Sequence, residues 1–244
     1  MSLLAIYGSG IMTVSSGTIQ VGGADASREG YPFSNAYTEW KKPWLEWQSA
    51  YSSSAAHSVA LNFTGTSVGL IILGANFATI NFNSGNHTLD KNRAVGDYRT
   101  CNLAITGTSS ISLTIPAQAT SEGYFKIGCI VPISAYYGIG DGIYPVSYSL
   151  KRPAKESATE NGRFIKQADG RKHHILEYAN KYRNYSYVSS VNGLKQSIGL
   201  YEPFFFWDYY RTSKIYLVRR LPDMTYIERG NHDFRYALRM EELA

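Results

Sequence analysis

Residues 67–82, SVGLIILGANFATINF, limit the fold more than any other stretch. Leu70, Ile71, Ile72 and Leu73 form an unbroken apolar run with Val68 just ahead of it, and Phe77, Ile80 and Phe82 resume after Gly74-Ala75-Asn76. A β-branched-rich run bounded by Gly69 and Gly74, too short for a buried helix, reads as a core strand. The Gly-x-Asn that follows turns the chain or puts a bulge in it. On either side lie alternating sets, Val59, Leu61 and Phe63 before, then Leu103 and Ile105, then Ile111, Leu113 and Ile115, each separated by Gly, Ser, Thr or Asn. That pattern belongs to an antiparallel sandwich whose strands bury one face and wet the other.

The order of features from Asn35 to Phe82 resembles the galactose-binding-like (discoidin-type) jelly rolls. It has an Asn-containing loop, Trp47-Gln48-Ser49, a His-x-Val-x-Leu-x-Phe strand from His57 to Phe63, and an Ile-x-x-Gly-x-Asn-Phe element from Ile71 to Phe77. The resemblance covers the first half of the chain. It implies a jelly-roll fold with Trp47 in the core, and a binding role by analogy.

A chain of 244 residues holds one large or two ordinary domains. Composition favours two. Residues 1–135 carry seven Lys+Arg and seven Asp+Glu, whereas residues 136–244 carry 17 and 12, so the whole net charge of +5 lies in the second part. Six tyrosines precede the boundary and 14 follow it. The expected organisation is a β-sandwich over 1–135 and a smaller β-rich docking domain over 136–244 with at most one short helix. The basic residues are interleaved with acids and form no stripe, which argues against a nucleic-acid partner. No apolar stretch is long enough to span a bilayer.

Residues 22–51 alternate little but are dense in aromatics, including Tyr37, Trp40, Trp44 and Trp47. Exposed loop aromatics are how sandwiches grip sugar faces or proteins. Tyr37, Trp40 and Trp44, with Arg93 from the polar 83–100 loop, are therefore candidate glycan-binding residues. The alternative is that Trp40 and Trp44 cap the end of the sandwich. Residues 134–145, with their Gly-rich GIGDG, read as a linker, because the spacing and following Pro145 do not fit a dinucleotide loop.

In the second half, residues 146–151 read as a strand, and Asp169-Gly170 as a hairpin turn joining Phe164-Ile165 to a return strand at 175–178. Tyr187, Val188, Val191 and Leu194 have helical spacing. Residues 215–218 and 234–243 read as further strands. The aromatic run Phe204-Phe205-Phe206-Trp207-Asp208-Tyr209-Tyr210 cannot all face one core, because alternate strand positions point outward. Either both faces are buried between layers, or Phe204, Phe206, Trp207, Tyr209 and Tyr210 meet another subunit.

Catalytic and metal signatures are weak. Cys101 and Cys129 have no metal spacing and read as free thiols. His173 and His174 are adjacent on a strand and point to opposite faces, and Asn231-His232-Asp233 reads as a turn. No cofactor or metal is expected. The Lys151-Arg152-Pro153 lead, Asn161-Gly162-Arg163, Asp169-Gly170-Arg171, the Gly-Leu-Tyr-Glu-Pro-Phe-Phe-Phe element and the terminal Glu-Glu-Leu resemble structural proteins of tailed-phage and prophage tail modules. That resemblance implies a non-enzymatic virion component, contacting other tail proteins and copies of itself. Residues 1–12 lack a basic start and a long apolar patch, which fits assembly in the bacterial cytoplasm.

Overall fold

In the computed structural model the 67–73 run is the second half of a 19-residue strand, His57–Ala75, that also takes in the alternating 57–63 segment. Its partner Arg99–Ile115, of 17 residues, likewise joins two segments that the Gly, Ser and Thr punctuation separates in the sequence. The punctuation makes bulges here, with register shifts at Asn62/Ser67 and Ser67/Gly69, and Gly107 opposite at φ 53°. Ser67 pins the kink: its hydroxyl lies 2.7 and 2.9 Å from the Gly69 and Ile133 carbonyls and accepts the Ile133 N–H at 3.2 Å. Described are residues 2–6, 10–38, 45–91, 99–141, 147–151, 154–158, 164–168, 173–182, 193–194, 196–198, 202–208, 214–220, 225–229 and 233–243.

The first thirteen elements are β1 (Ser2–Ile6), β2 (Val14–Val21), β3 (Ala24–Asp25), α1 (Ser34–Thr38), β4 (Trp47–Ser52), β5 (His57–Ala75), β6 (Thr79–Phe82), β7 (Gly85–Thr88), β8 (Asp90–Lys91), β9 (Arg99–Ile115), β10 (Tyr124–Ile127), β11 (Cys129–Ile133) and β12 (Tyr137–Asp141). There follow β13 (Ser147–Lys151), β14 (Ala154–Ala158), β15 (Phe164–Ala168), β16 (His173–Tyr182), β17 (Pro203–Asp208), β18 (Lys214–Arg220), β19 (Thr225–Arg229) and β20 (Asp233–Glu242). The fold is mainly β, and all pairings among the described residues are antiparallel. One sheet runs β3-β2-β5-β9-β6-β7, with β11 also on β5 and β8 on β9; the other runs β12-β1-β17-β18-β20-β16-β13, with β19 on β20. The ribbons β4-β10 and β14-β15 stand apart from both.

The unbroken run in β5 now has its reason. Leu70 and Ile72 face the sandwich core with Val59, Leu61, Phe77, Leu113 and Phe125. Ile71 and Leu73 face the opposite way, into a second core with Phe205, Ile215 and Leu217 of the other sheet. β11 does the same, giving Ile130 to the first core and Cys129, Val131 and Ile133 to the second. A strand buried on both faces is apolar at every position rather than at alternate ones. Gly74 ends the run at φ 74°, beside a register shift between Leu73 and Ala75, so the Gly-x-Asn makes a bulge.

Several sequence expectations change. The 134–145 linker contains β12, whose Tyr137–Asp141 pairs with β1. β1 itself lies between β12 and β17, with Leu4 opposite Trp207 and Ile6 opposite Phe205. Phe164–Ala168 pairs with Ala154–Ala158, not with the following strand; that strand, β16, pairs with β13 and β20 instead. Asn161-Gly162, between these two strands in the sequence, and Asp169-Gly170 lie outside the described residues. Of the expected helix, 193–194 and 196–197 are helical, with the Ile198 N–H on the Leu194 carbonyl at 2.9 Å; Tyr187, Val188 and Val191 lie outside the described residues.

Candidate functional site

The aromatic-rich 22–51 region feeds an edge-to-face ladder through the sandwich. Tyr37 meets Phe33 at 5.6 Å between ring centroids, Phe33 meets Trp47 at 5.9 Å, Trp47 meets His57 at 6.0 Å, His57 meets Phe125 at 4.9 Å and Phe125 meets Phe77 at 5.5 Å. α1 brings Tyr37 onto β2 at Gly17, where an added Cβ would lie 2.9 Å from both the Tyr37 ring and Leu61. Tyr37, expected to grip a glycan, is therefore half-buried in packing. Trp47 is fully buried, as the jelly-roll resemblance implies.

The ladder holds the pair most suggestive of catalysis. Ser49 Oγ is 2.6 Å from His57 Nε2, and His57 Nδ1 is 3.0 Å from the Ala55 carbonyl. A carbonyl only accepts, so Nδ1 carries the proton, Nε2 accepts, and the serine donates. Ser49 also accepts the Tyr51 N–H at 3.0 Å. This arrangement matches a serine paired with its base, but Ser49 is 2 % and His57 0 % exposed. No substrate reaches either. Burial lowers the His57 pKa below its ordinary value, only partly opposed by the bond to Ala55, and the pair serves as a buried strand-to-strand tie between β4 and β5.

A charged cluster sits on the β4–β10 ribbon. The Tyr124 ring lies under both Arg28 (5.1 Å) and Lys126 (5.6 Å). Lys126 pairs with Glu122 at 3.2 Å and Glu46 at 3.5 Å, while Gln48 donates to Glu46 and accepts from Arg28. Asn76, just past the β5 bulge, donates to Glu122 Oε2 and the Tyr124 carbonyl and accepts the Lys126 N–H. Burial alone would lower the Lys126 pKa, but Glu46 and then Glu122 outweigh it and hold it above the ordinary value. Burial likewise acts to raise Glu122, yet bonds from Asn76, Ser121 and Lys126 bring it below its usual range. The charges here are spent on one another, fastening the ribbon to the bulge.

The opposite surface of the sandwich is different in kind. Across β2, β5, β9 and β6, paired residues align in rows: Gln20, Ser58, Thr114 and Asn81 in one, Thr18, Ala60 and Ser112 in the next, Ser16, Asn62 and Ser110 beyond. Not one of these ten is charged, in a chain that is 18 % charged, and all but the half-buried Thr114 are exposed. The first two rows floor a shallow depression of about 340 Å³, rimmed by Asn83 and Ser84 of the β6–β7 turn. Those two are the non-glycine residues with positive φ among the described residues, at 49° and 62°.

The aromatic run of β17 is buried on both faces. Phe204, Phe205 and Phe206 are each 0 % exposed, and Trp207 is half-buried against Tyr136 at 5.7 Å. The expectation that Phe204 and Phe206 meet another subunit is corrected: β17 lies inside its sheet between β1 and β18, with Phe205 turned into the second core. Trp40, Trp44, Arg93, Tyr209 and Tyr210 lie outside the described residues. Neither cysteine is in a disulfide, and Cys129 is buried so deeply that its pKa is pushed up to about 12. Among the described residues no group of three or more His, Cys, Asp or Glu is placed to hold a metal ion, and no helix is long and apolar enough to cross a membrane.

Sequence reasoning missed the uncharged face. Its signal was present in the polar positions that alternate with the core residues of 14–21, 57–63 and 110–115, nearly all Ser, Thr, Asn or Gln. No protein-family model matches the chain, and no curated protein and no solved structure matches it either.

Proposed function

We propose that this chain is a non-catalytic structural component of a phage or prophage virion, a tail-associated adaptor that works as a defined homo-oligomer beside other tail proteins. The observation that supports this reading most is the second core. An adaptor must hold its displayed part and its docked part in a fixed relation, and a mobile linker defeats that. Here Ile71, Leu73, Val131 and Ile133 of the sandwich pack directly on Phe205, Ile215 and Leu217, and β12 follows β11 after three residues. With Phe204 and Phe206 committed to the interior, docking falls to the sheet edges. β12 and β13 end the strand path among the described residues, and an edge strand carries a row of N–H and C=O groups that takes on a partner strand.

Light scattering across a concentration series tests this. The expected result is a discrete mass at a multiple of 27.2 kDa. A mass of one chain at every concentration refutes the oligomeric adaptor.

A further inference from the structure

We infer that the uncharged face of β2, β5, β9 and β6 is a binding site for a short neutral saccharide. The inference is independent of the assembly reading, and it moves glycan recognition away from the loop aromatics to a sheet surface. Three observations carry it.

The first is chemical. In the two rows that floor the depression, every side chain but Ala60 is a hydroxyl or an amide. Among the described residues none of Thr18, Gln20, Ser58, Asn81, Ser112 or Thr114 makes a side-chain hydrogen bond, in contrast to Asn62, which donates to Ser16 at 2.9 Å in the row outside it. The floor thus presents donors and acceptors of both kinds to a ligand. A nucleic acid or anionic sugar calls for cations, and the rows supply none. A protein interface draws its energy from exposed aromatic or aliphatic anchors that become buried; of the apolar residues lining the depression, Val59, Phe82 and Leu113 are buried in the core, and Ala60 alone is exposed. A polyhydroxylated, uncharged ligand is what remains complementary.

The second is geometric. Strand spacing of about 4.8 Å sets these groups out as a regular ladder, close to the repeat of rings along an extended sugar chain. The small Ala60 at the middle of the floor leaves the hollow, and its volume of about 340 Å³ lies at the low end of the roughly 300–1,000 Å³ usual for small-molecule sites.

The third is the turn at the rim. Asn83 and Ser84 form a two-residue hairpin loop in the left-handed region, with Phe82 opposite Gly85. Asn-Gly is the unstrained choice for such a turn. A serine in the second place costs roughly 1–2 kcal/mol and puts a hydroxyl on the edge of the depression, where glycine would put nothing.

The test is heteronuclear NMR on the full-length, isotope-labelled chain titrated with maltohexaose, cellohexaose, mannohexaose and chitohexaose, and with a sialylated oligosaccharide as the charged counterpart. A face without an aromatic platform binds weakly, with a dissociation constant on the order of 1 mM. The expected result is saturable shifts confined to β2, β5, β6 and β9 for at least one neutral probe and none for the charged one. Ala60→Arg, on an exposed position, should keep the folded spectrum and weaken that probe by about tenfold or more through a clash in the hollow. Ala60→Ser should retain binding. Shifts centred on Tyr37 and the neighbouring loop would return recognition to the aromatics and overturn this site. So would silence with every neutral probe, an Ala60→Arg chain that binds as before, or light scattering in which Ala60→Arg dissolves an oligomer, which would make the face a contact between copies.

Discussion

Replacing Ser49 by alanine separates a structural serine–histidine pair from a reactive one. The substitution removes the hydroxyl that donates to His57 Nε2 at 2.6 Å and accepts the Tyr51 N–H at 3.0 Å. It leaves a fully buried imidazole acceptor with nothing to accept, and the tautomer cannot flip, because Nδ1 faces the Ala55 carbonyl. Stranding a buried polar group costs about 1–3 kcal/mol. With a smaller contribution from the partly buried Tyr51 N–H, the total is about 2–4 kcal/mol. For a chain of this length each kcal/mol moves the melting temperature by about 2–4 °C, so Ser49→Ala should melt roughly 5–15 °C below the parent. Thermal unfolding followed by circular dichroism reads this directly. A fluorophosphonate probe applied to the folded parent supplies the second arm, with no labelling expected at Ser49. A loss under about 0.5 kcal/mol, or stoichiometric labelling at Ser49, would refute a sealed structural tie and reopen hydrolytic chemistry.

The remaining predictions are briefer. Because burial holds the His57 pKa below its unfolded value, its contribution to stability is complete at neutral pH. It is lost as pH falls below about 6.5, at up to about 1.4 kcal/mol per pH unit until the folded pKa is reached. Urea unfolding from pH 7.5 to 5 should show that slope in the parent, reduced in His57→Gln; parallel curves would count against it. Ile71→Ala and Ile72→Ala face different cores, yet each should cost about 2–5 kcal/mol and lower one shared transition, and a melt resolved into two steps with each variant moving only one would contradict the common wall. Cys129 should resist iodoacetamide at pH 8 in the folded chain and react in urea, as mass spectrometry of tryptic peptides would show, since burial drives its pKa to about 12. Arg219 holds Glu241 with Nε at 2.7 Å, but its side chain is 39 % exposed, so Arg219→Met should cost under about 1 kcal/mol in denaturant titration.

What was legible in the sequence followed from period and punctuation. The alternation of Val59, Leu61 and Phe63 and of Ile111, Leu113 and Ile115 marks inward positions directly, since side chains on a strand repeat every two residues. The unbroken Leu70–Leu73 run marked a core strand, but nothing in the local sequence says that its second face is covered too: Phe205, Ile215 and Leu217 lie more than a hundred residues away. The same gap explains β12 and β1. Tyr137–Asp141 carries the glycines of a loop, and only the partner strand Ser2–Ile6 makes it a strand. The candidate site was hidden for another reason. Uncharged short side chains read as ordinary solvent-facing positions one strand at a time, and the face exists only once the register sets Gln20, Ser58, Thr114 and Asn81 side by side. The Ser49–His57 pair was half visible, because both residues belong to the jelly-roll motifs while their 2.6 Å approach depends on how β4 meets β5.

The capture of β1 between β12 and β17 sets a clock on biosynthesis. Pro203–Asp208, the partner of Ser2–Ile6, leaves the ribosome roughly 200 residues after it, some 10–40 s at about 5–20 residues per second. The sandwich can close in that interval, and the apolar segment SLLAI can pair with β12 but not yet with β17. Ser2–Ile6 precedes the sandwich along the chain yet is closed on its β17 side only after it, so one apolar edge stays open through that interval. Slow codons between residues 141 and 203 act on that interval rather than on the finished fold.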